Sequence, residues 1–283
     1  DSSGELSLKS PLNFENPTDD DKNNDYVITV LAQQLPTSLQ ITAEHTVTVT
    51  VNNANDAPTN ISLSNNSIIK NSVAPALVGT LSTNDEDVDD NTHTYTLVSN
   101  EENDHHSYFS IVNNNLQRSN KLFEQDNKIY SITIQTDDGN GGTFQKQFTI
   151  NVFDQDVYVD GGSFTSPYYN FYLDQDATLP FDITKLNIYK MYKFQRLPQT
   201  TTHHPFYFSN MGYKTASDSF ITLSGDGSFE AGITGSQSFL LSFNGDDSTT
   251  LEKKLIYYCT SHSDMQFTFR LKDKLARILD TNF

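Results

Sequence analysis

The single cysteine of this 283-residue chain lies in Tyr257-Tyr258-Cys259-Thr260-Ser261-His262-Ser263-Asp264-Met265, directly after the strand-like run Lys254 to Tyr258. A thiolate, an imidazole and a thioether on one tight loop form a soft donor set suited to copper. Such a set needs a second imidazole from elsewhere. The stretch Thr202-His203-His204-Pro205-Phe206-Tyr207-Phe208 offers one, with His204 preferred and His203 as the alternative. The competing use of these residues is structural. Cys259 then serves as a small buried hydrophobe, Met265 as core filler and His262 as a hydrogen-bonded turn residue.

Carboxylates are the other chemically loaded group, and they are unevenly spread. Residues 1–160 carry 24 acidic and 7 basic side chains, whereas residues 161–283 carry 12 and 11. The formal net charge of −18 repels phosphate backbones, so nucleic-acid binding is excluded. Clustered acids of this kind are either solvated or bind hard cations such as calcium. A lone cysteine rules out an internal disulfide framework, and a free thiol in an exported chain calls for a role such as metal ligation. No run reaches the length of a transmembrane helix, so no direct membrane insertion is expected. Asp1 opens directly in polar sequence, as expected of a mature chain or a fragment. His105-His106 beside Asp104, and the pair Asp174 and Asp176, fall in polar or turn-rich stretches. With no nucleophile–base motif, phosphate loop or zinc motif, the chain is not expected to be an enzyme.

The elements that must position these groups are strands. Asn, Asp, Ser and Thr are plentiful, and apolar and polar residues alternate over long stretches, which predicts an all-β chain. Two stretches repeat one another. Phe14-Glu15, Tyr26 to Val30, Thr46 to Val51 and Asn55-Asp56-Ala57-Pro58 correspond to Leu122-Phe123-Glu124, Tyr130 to Ile134, Phe148 to Val152 and Asp154-Gln155-Asp156. Tyr26 and Tyr130 are 104 residues apart, a period suited to one small β-sandwich per repeat.

These pieces, with Asn53 to Pro58, Val78 to Thr83, Asp85-Glu86-Asp87 and Thr136-Asp137-Asp138-Gly139, resemble cadherin-like repeats of the bacterial surface-protein kind, with an Ig-like Greek-key fold. The resemblance makes 1–57 the C-terminal part of one repeat and 58–157 a complete one. It implies calcium at their junction, held by Glu15, Asn53, Asn55 and Asp56 from the first and by Asp85, Asp87 and Asp138 from the second. A second junction would use Glu124, Asp154 and Asp156. The chain departs from the family at Asn53, Gln34 and Lys70-Asn71, where acidic residues are usual.

Asp160-Gly161-Gly162 reads as the next boundary, with a further sandwich of about seven strands over 158–272 and a tail at 273–283. His204-Pro205-Phe206-Tyr207 and the Cys259 to Met265 loop, in that order and spacing, make this part similar to a cupredoxin. The resemblance implies a blue-copper set of His204, Cys259 and His262 with Met265 as the weak axial ligand. Pro205 stands where that family usually has an asparagine tying the two ligand loops together. The fold class expected is therefore tandem β-sandwiches, cadherin-like and then cupredoxin-like. The expected role is a non-enzymatic extracellular protein on a cell or virion surface, serving adhesion, filament formation or assembly. Its partners would be proteins, glycans or further copies of itself. The alternative is a tethered blue-copper electron-transfer or copper-binding protein.

Overall fold

The computed structural model describes residues 5–33, 42–87, 92–99, 105–124, 128–198, 204–244 and 253–271. His203, Gln34, Asp104 and the 273–283 tail lie outside them. The described residues form β-strands and two short 3-10 turns, and among them no helix is long and apolar enough to cross a membrane. The protein is all-β, with sandwich-like sheets, as the alternation predicts. It divides into two compact units, one of residues 1–63, 81–98 and 133–146 and one of 64–80, 99–132 and 147–283.

In the first unit, β1 (Asp25–Gln33) and β2 (Thr42–Thr50) form an antiparallel ribbon, with Asp25 opposite Thr50 and Gln33 opposite Thr42. Alternation predicts one buried face here, yet no residue of either strand is buried, and Val27, Val30 and Leu31 are exposed. A two-stranded ribbon has too little surface to bury its own apolar side. Leu6, Leu8 and Leu12, with Ser7 and Lys9, line a groove with its Tyr26, Ile28 and Val49. β3 (Asn60–Leu63) pairs with the end of β5 (Leu77–Asn84). β6 (Thr94–Val98) pairs with the end of β9 (Ile129–Asp137). Ile61, Leu81 and Ile134 are buried along these strands.

In the second unit, β4 (Ser67–Ile69) runs parallel to the end of β10 (Thr143–Phe153). β7 (Phe109–Val112), β8 (Asn115–Arg118) and the start of β5 pair antiparallel. Tyr108, Phe109, Phe123 and Tyr130 form an aromatic cluster, with Tyr108 and Tyr130 edge to face at 4.9 Å.

The rest of this unit is a two-sheet sandwich. Strands β11 (Gln155–Val159), β12 (Phe171–Tyr172), β13 (Tyr192–Arg196), β15 (Ile221–Gly225) and β16 (Ser238–Phe243) form one sheet in the order β12-β11-β13-β16-β15, with β11 parallel to β13. β14 (Phe206–Ser209), β17 (Lys254–Cys259) and β18 (His262–Arg270) form the other, in the order β14-β17-β18. The two inner faces share one core, in which Phe194 meets Phe208 at 4.9 Å and Phe171 meets Tyr257 at 5.1 Å. Aromatic rings bury large apolar areas each, so this layer dominates the stability of the sandwich.

Two elements differ from their sequence reading. The first strand starts at Gln155, ahead of a boundary at 158, because Val157 and Val159 are fully buried in the terminal sandwich. The connection after Cys259 is only the turn Thr260-Ser261, so His262 already opens β18, where a loop was expected to run to Met265. Cys259 pairs with His262 across that turn, after a register shift at Tyr258/Cys259.

Candidate metal centre

Three elements bring the sulfur and two imidazoles together. Cys259 ends the buried strand β17, His262 begins β18, and His204 stands two residues before β14, which is hydrogen-bonded along β17. Cys259 Sγ is 3.3 Å from His262 Nδ1 and 3.8 Å from His204 Nδ1, and the two Nδ1 atoms are 3.1 Å apart. Cys259 is fully buried, and neither histidine is exposed. Bonds of about 2.0–2.3 Å to nitrogen and sulfur at a tetrahedral angle space the donors about 3.3–3.6 Å apart. The observed separations of 3.1–3.8 Å bracket that spacing, with the two Nδ1 atoms closer and the Cys259–His204 pair wider than one ion would hold them. Met265, three residues along β18, is buried in the same core as Cys259.

The tie between the segments carrying His204 and Cys259 is made by backbone groups around Pro205. Thr260 N–H donates to the Pro205 carbonyl at 3.0 Å. The Tyr169 hydroxyl lies 3.1 Å from the His204 carbonyl and 3.3 Å from that of Pro205, and donates to them. The Tyr213 hydroxyl reaches the Thr260 carbonyl at 3.4 Å. Gly162, at φ +78°, packs so closely that an added Cβ would lie 2.7 Å from a ring carbon of Tyr169 and 3.2 Å from His204 Cβ. None of Tyr169, Tyr213 or Gly162 is marked as functional by sequence. Gly162 falls in the stretch that reads as a domain boundary, and the tie itself uses carbonyls common to every residue.

The electrostatic setting is unusual in one group. Arg196, at the end of β13, is 4 % exposed, and no described residue accepts a hydrogen bond from its guanidinium. It lies 5.6 Å over the ring of Tyr169. Burial lowers the pKa of Arg196, while the neighbouring Tyr169 phenol and Asp160 oppose that shift. Burial first, and then the Cys259 thiol, push the Tyr169 phenol far above its ordinary range.

The acids expected at the first repeat junction all fall in the first unit. Carboxylate oxygens of Glu15, Asp56 and Glu86 lie within 4.8 Å of one another. One oxygen of Glu15 and one of Asp87 are buried without a hydrogen-bond donor. Asp87 accepts the Asp56 N–H at 2.8 Å, and Asp138 accepts from Asn55 Nδ2 at 3.0 Å. This Asn55 bond, chief among several, holds the Asp138 carboxyl below its ordinary pKa. Asp85 is already paired with His93 Nε2 at 2.8 Å, and Asn53 is exposed. Glu86 joins the group although only its neighbours were singled out by sequence.

Glu124, Asp154, Asp156, Asp174 and His105 have structural partners. Tyr108 donates its hydroxyl to Glu124 at 2.5 Å, Asp154 accepts the Met191 N–H, and Asp156 accepts from Gln195. Asp174 closes its own turn on Thr178 and Leu179, and His105 Nδ1 accepts the Ser131 N–H.

No family model and no curated protein matches the chain. Solved structures similar to it include human protocadherin-24 EC1-2, at 18 % identity over 52 % of this chain and 71 % of that one, with a TM-score of 0.41. Mouse cadherin-23 EC22-24 is 13 % identical over 90 % of this chain and 76 % of its own, with a TM-score of 0.35. Drosophila N-cadherin EC1-4 is 13 % identical over 94 % of this chain, which spans 62 % of that structure, with a TM-score of 0.43.

Proposed function

We propose that the terminal sandwich is a cupredoxin-like module that binds one copper ion through His204 Nδ1, His262 Nδ1 and Cys259 Sγ, with Met265 as a weak fourth donor. One observation carries this reading: two Nδ1 atoms and one sulfur, from three separate elements, meet within 3.8 Å of each other. A bound copper would supply reversible one-electron chemistry. The chain's own contribution is to hold the donors in place. The β14–β17 pairing fixes His204 against Cys259, and the Thr260–Pro205 bond stops the hairpin turn from drifting. Burial of Cys259 excludes water and competing thiols from the sulfur. An electron relay or copper carrier needs no substrate pocket, in keeping with a non-enzymatic role.

The preceding repeats support a second component of the same proposal: a calcium-stiffened, extracellular spacer that holds the module away from a cell or virion surface. The donor-free oxygens of Glu15 and Asp87 beside Asp56 and Glu86 favour it, since a hard cation coordinates such oxygens. Adhesion or assembly through protein or glycan partners, or by self-association into a filament, would use the faces of these repeats.

Metal retention tests the copper component. After equilibration with Cu(II) and gel filtration, the wild type is expected to keep one copper per chain. His204→Ala, His262→Ala and Cys259→Ser are each expected to lose most of it. Equal copper on wild type and Cys259→Ser would remove the reading. Tight retention of zinc without copper would leave the site but change its metal.

A further inference from the structure

Phe164 is 69 % exposed, yet its ring contacts both imidazoles edge to face, with centroids 5.0 Å from His204 at 88° and 5.1 Å from His262 at 77°. An apolar ring left this open forgoes most of the gain of burial, about 1.5–3 kcal/mol for a fully buried side chain of this class. Core packing therefore does not explain its place. The loop that carries it is built to hold it there. Asp160 Oδ1 accepts the Gly162 N–H at 3.0 Å, and Asn170 Nδ2 closes on Asp160 Oδ2 at 2.7 Å. Ser163 N–H donates to the Tyr168 carbonyl at 2.7 Å, and Tyr168 N–H donates to that of Thr165 at 2.9 Å. Gly162 lets the backbone approach His204 more closely than a side chain would permit.

From this juxtaposition we infer that Phe164 closes the His204–Cys259–His262 site to outside ligands, making the loop between β11 and β12 a third wall of the metal centre. Each imidazole turns Nδ1 toward the sulfur, and Phe164 covers the two rings from a loop that donates nothing to the metal. A small anion or a solvent molecule approaching along the histidines meets the phenyl ring first. With copper held by these residues, the site would exchange electrons across the ring edges and admit no further ligand from solution. The role in metal chemistry rests on the copper reading above, but the shielding of the imidazoles does not.

Two measurements on the full chain separate these statements. In the metal-free protein, diethyl pyrocarbonate modification is followed residue by residue by peptide mass spectrometry. Phe164→Ala is expected to speed modification of His204 and His262 several-fold, with His45 and His93 unchanged as internal controls. Phe164→Leu, which keeps an apolar cover, should stay close to wild type. Because the ring is mostly exposed, its truncation removes little buried area, and thermal unfolding confirms that each variant is folded. Equal rates in wild type and Phe164→Ala overturn the inference. In the Cu(II)-loaded protein, azide should leave the wild-type spectrum unchanged and perturb that of Phe164→Ala. Azide acting equally on both also overturns it. Faster histidine modification in Phe164→Ala, with no copper retained by the wild type, upholds the shield and discards the copper reading.

Discussion

Gly162 carries more of the candidate metal centre than its lack of a side chain suggests. Its positive φ and the 2.7 Å approach to Tyr169 leave no room for a methyl group. Gly162→Ala combines left-handed backbone strain with a clash, together about 1–3 kcal/mol. It should lower the thermal midpoint of the terminal sandwich and weaken copper retention in parallel. Arg196 makes the opposite prediction. A buried guanidinium without a hydrogen-bond acceptor costs desolvation that the Tyr169 ring and Asp160 offset only in part, and replacing buried charge by an apolar side chain of similar size is often neutral or stabilising by about 1–4 kcal/mol. Arg196→Met should therefore hold or raise the metal-free stability measured by urea unfolding. A loss of several kcal/mol would mean that the guanidinium has a partner of real consequence, with the Tyr169 phenol and Asp160 the first candidates.

Among the elements, the strands of the terminal sandwich are legible in the sequence and the connections between them are not. Near-continuous apolar runs over Lys254 to Tyr258 and Phe239 to Phe243, cut by Gly- and Asp-rich turns, locate β17 and β16 to within a residue or two. β11 escapes because Asp154 and Asp156 read as linker acids, whereas Val157 and Val159 are core residues. The donor residues are equally legible, since cysteine and histidine announce their chemistry by type. Their supports are not, because a Pro205 carbonyl, a glycine and an exposed phenylalanine acquire a role only when the loops close. One pH effect belongs at this scale. Tyr108 donates to Glu124, and that bond, before burial, pushes its pKa up to about 12. A pKa raised from an unfolded value near 10 gives stability that is complete below about pH 10 and is lost as the pH climbs to about 12. Alkaline unfolding of the region around Tyr108 should follow that window, and Tyr108→Phe should weaken the dependence to what Tyr130, raised by burial, leaves. Unfolding that is flat between these values in the wild type would contradict it.

At the scale of the whole molecule, the charge asymmetry and the candidate site bear on the two proposed metal chemistries. The acidic first 160 residues, with donor-free oxygens at Glu15 and Asp87, suit calcium; the nearly neutral remainder, with its sulfur and two imidazoles, suits copper. Calcium at about 100 times its dissociation constant stabilises a one-site fold by about 2.7 kcal/mol. Chelation should therefore lower the unfolding temperature of the repeats and leave the terminal sandwich unmoved. Glu15→Gln should shrink that shift, and a calcium-independent melting curve would remove the stiffened-spacer component. The central claim is tested most directly by the visible absorption spectrum of the protein titrated with Cu(II). The expected result is an intense thiolate-to-copper band that saturates at one equivalent and is absent from Cys259→Ser. A wild-type spectrum without that band, or one that Cys259→Ser leaves unchanged, would contradict copper ligation by Cys259 and return the residue to the core as a small hydrophobe.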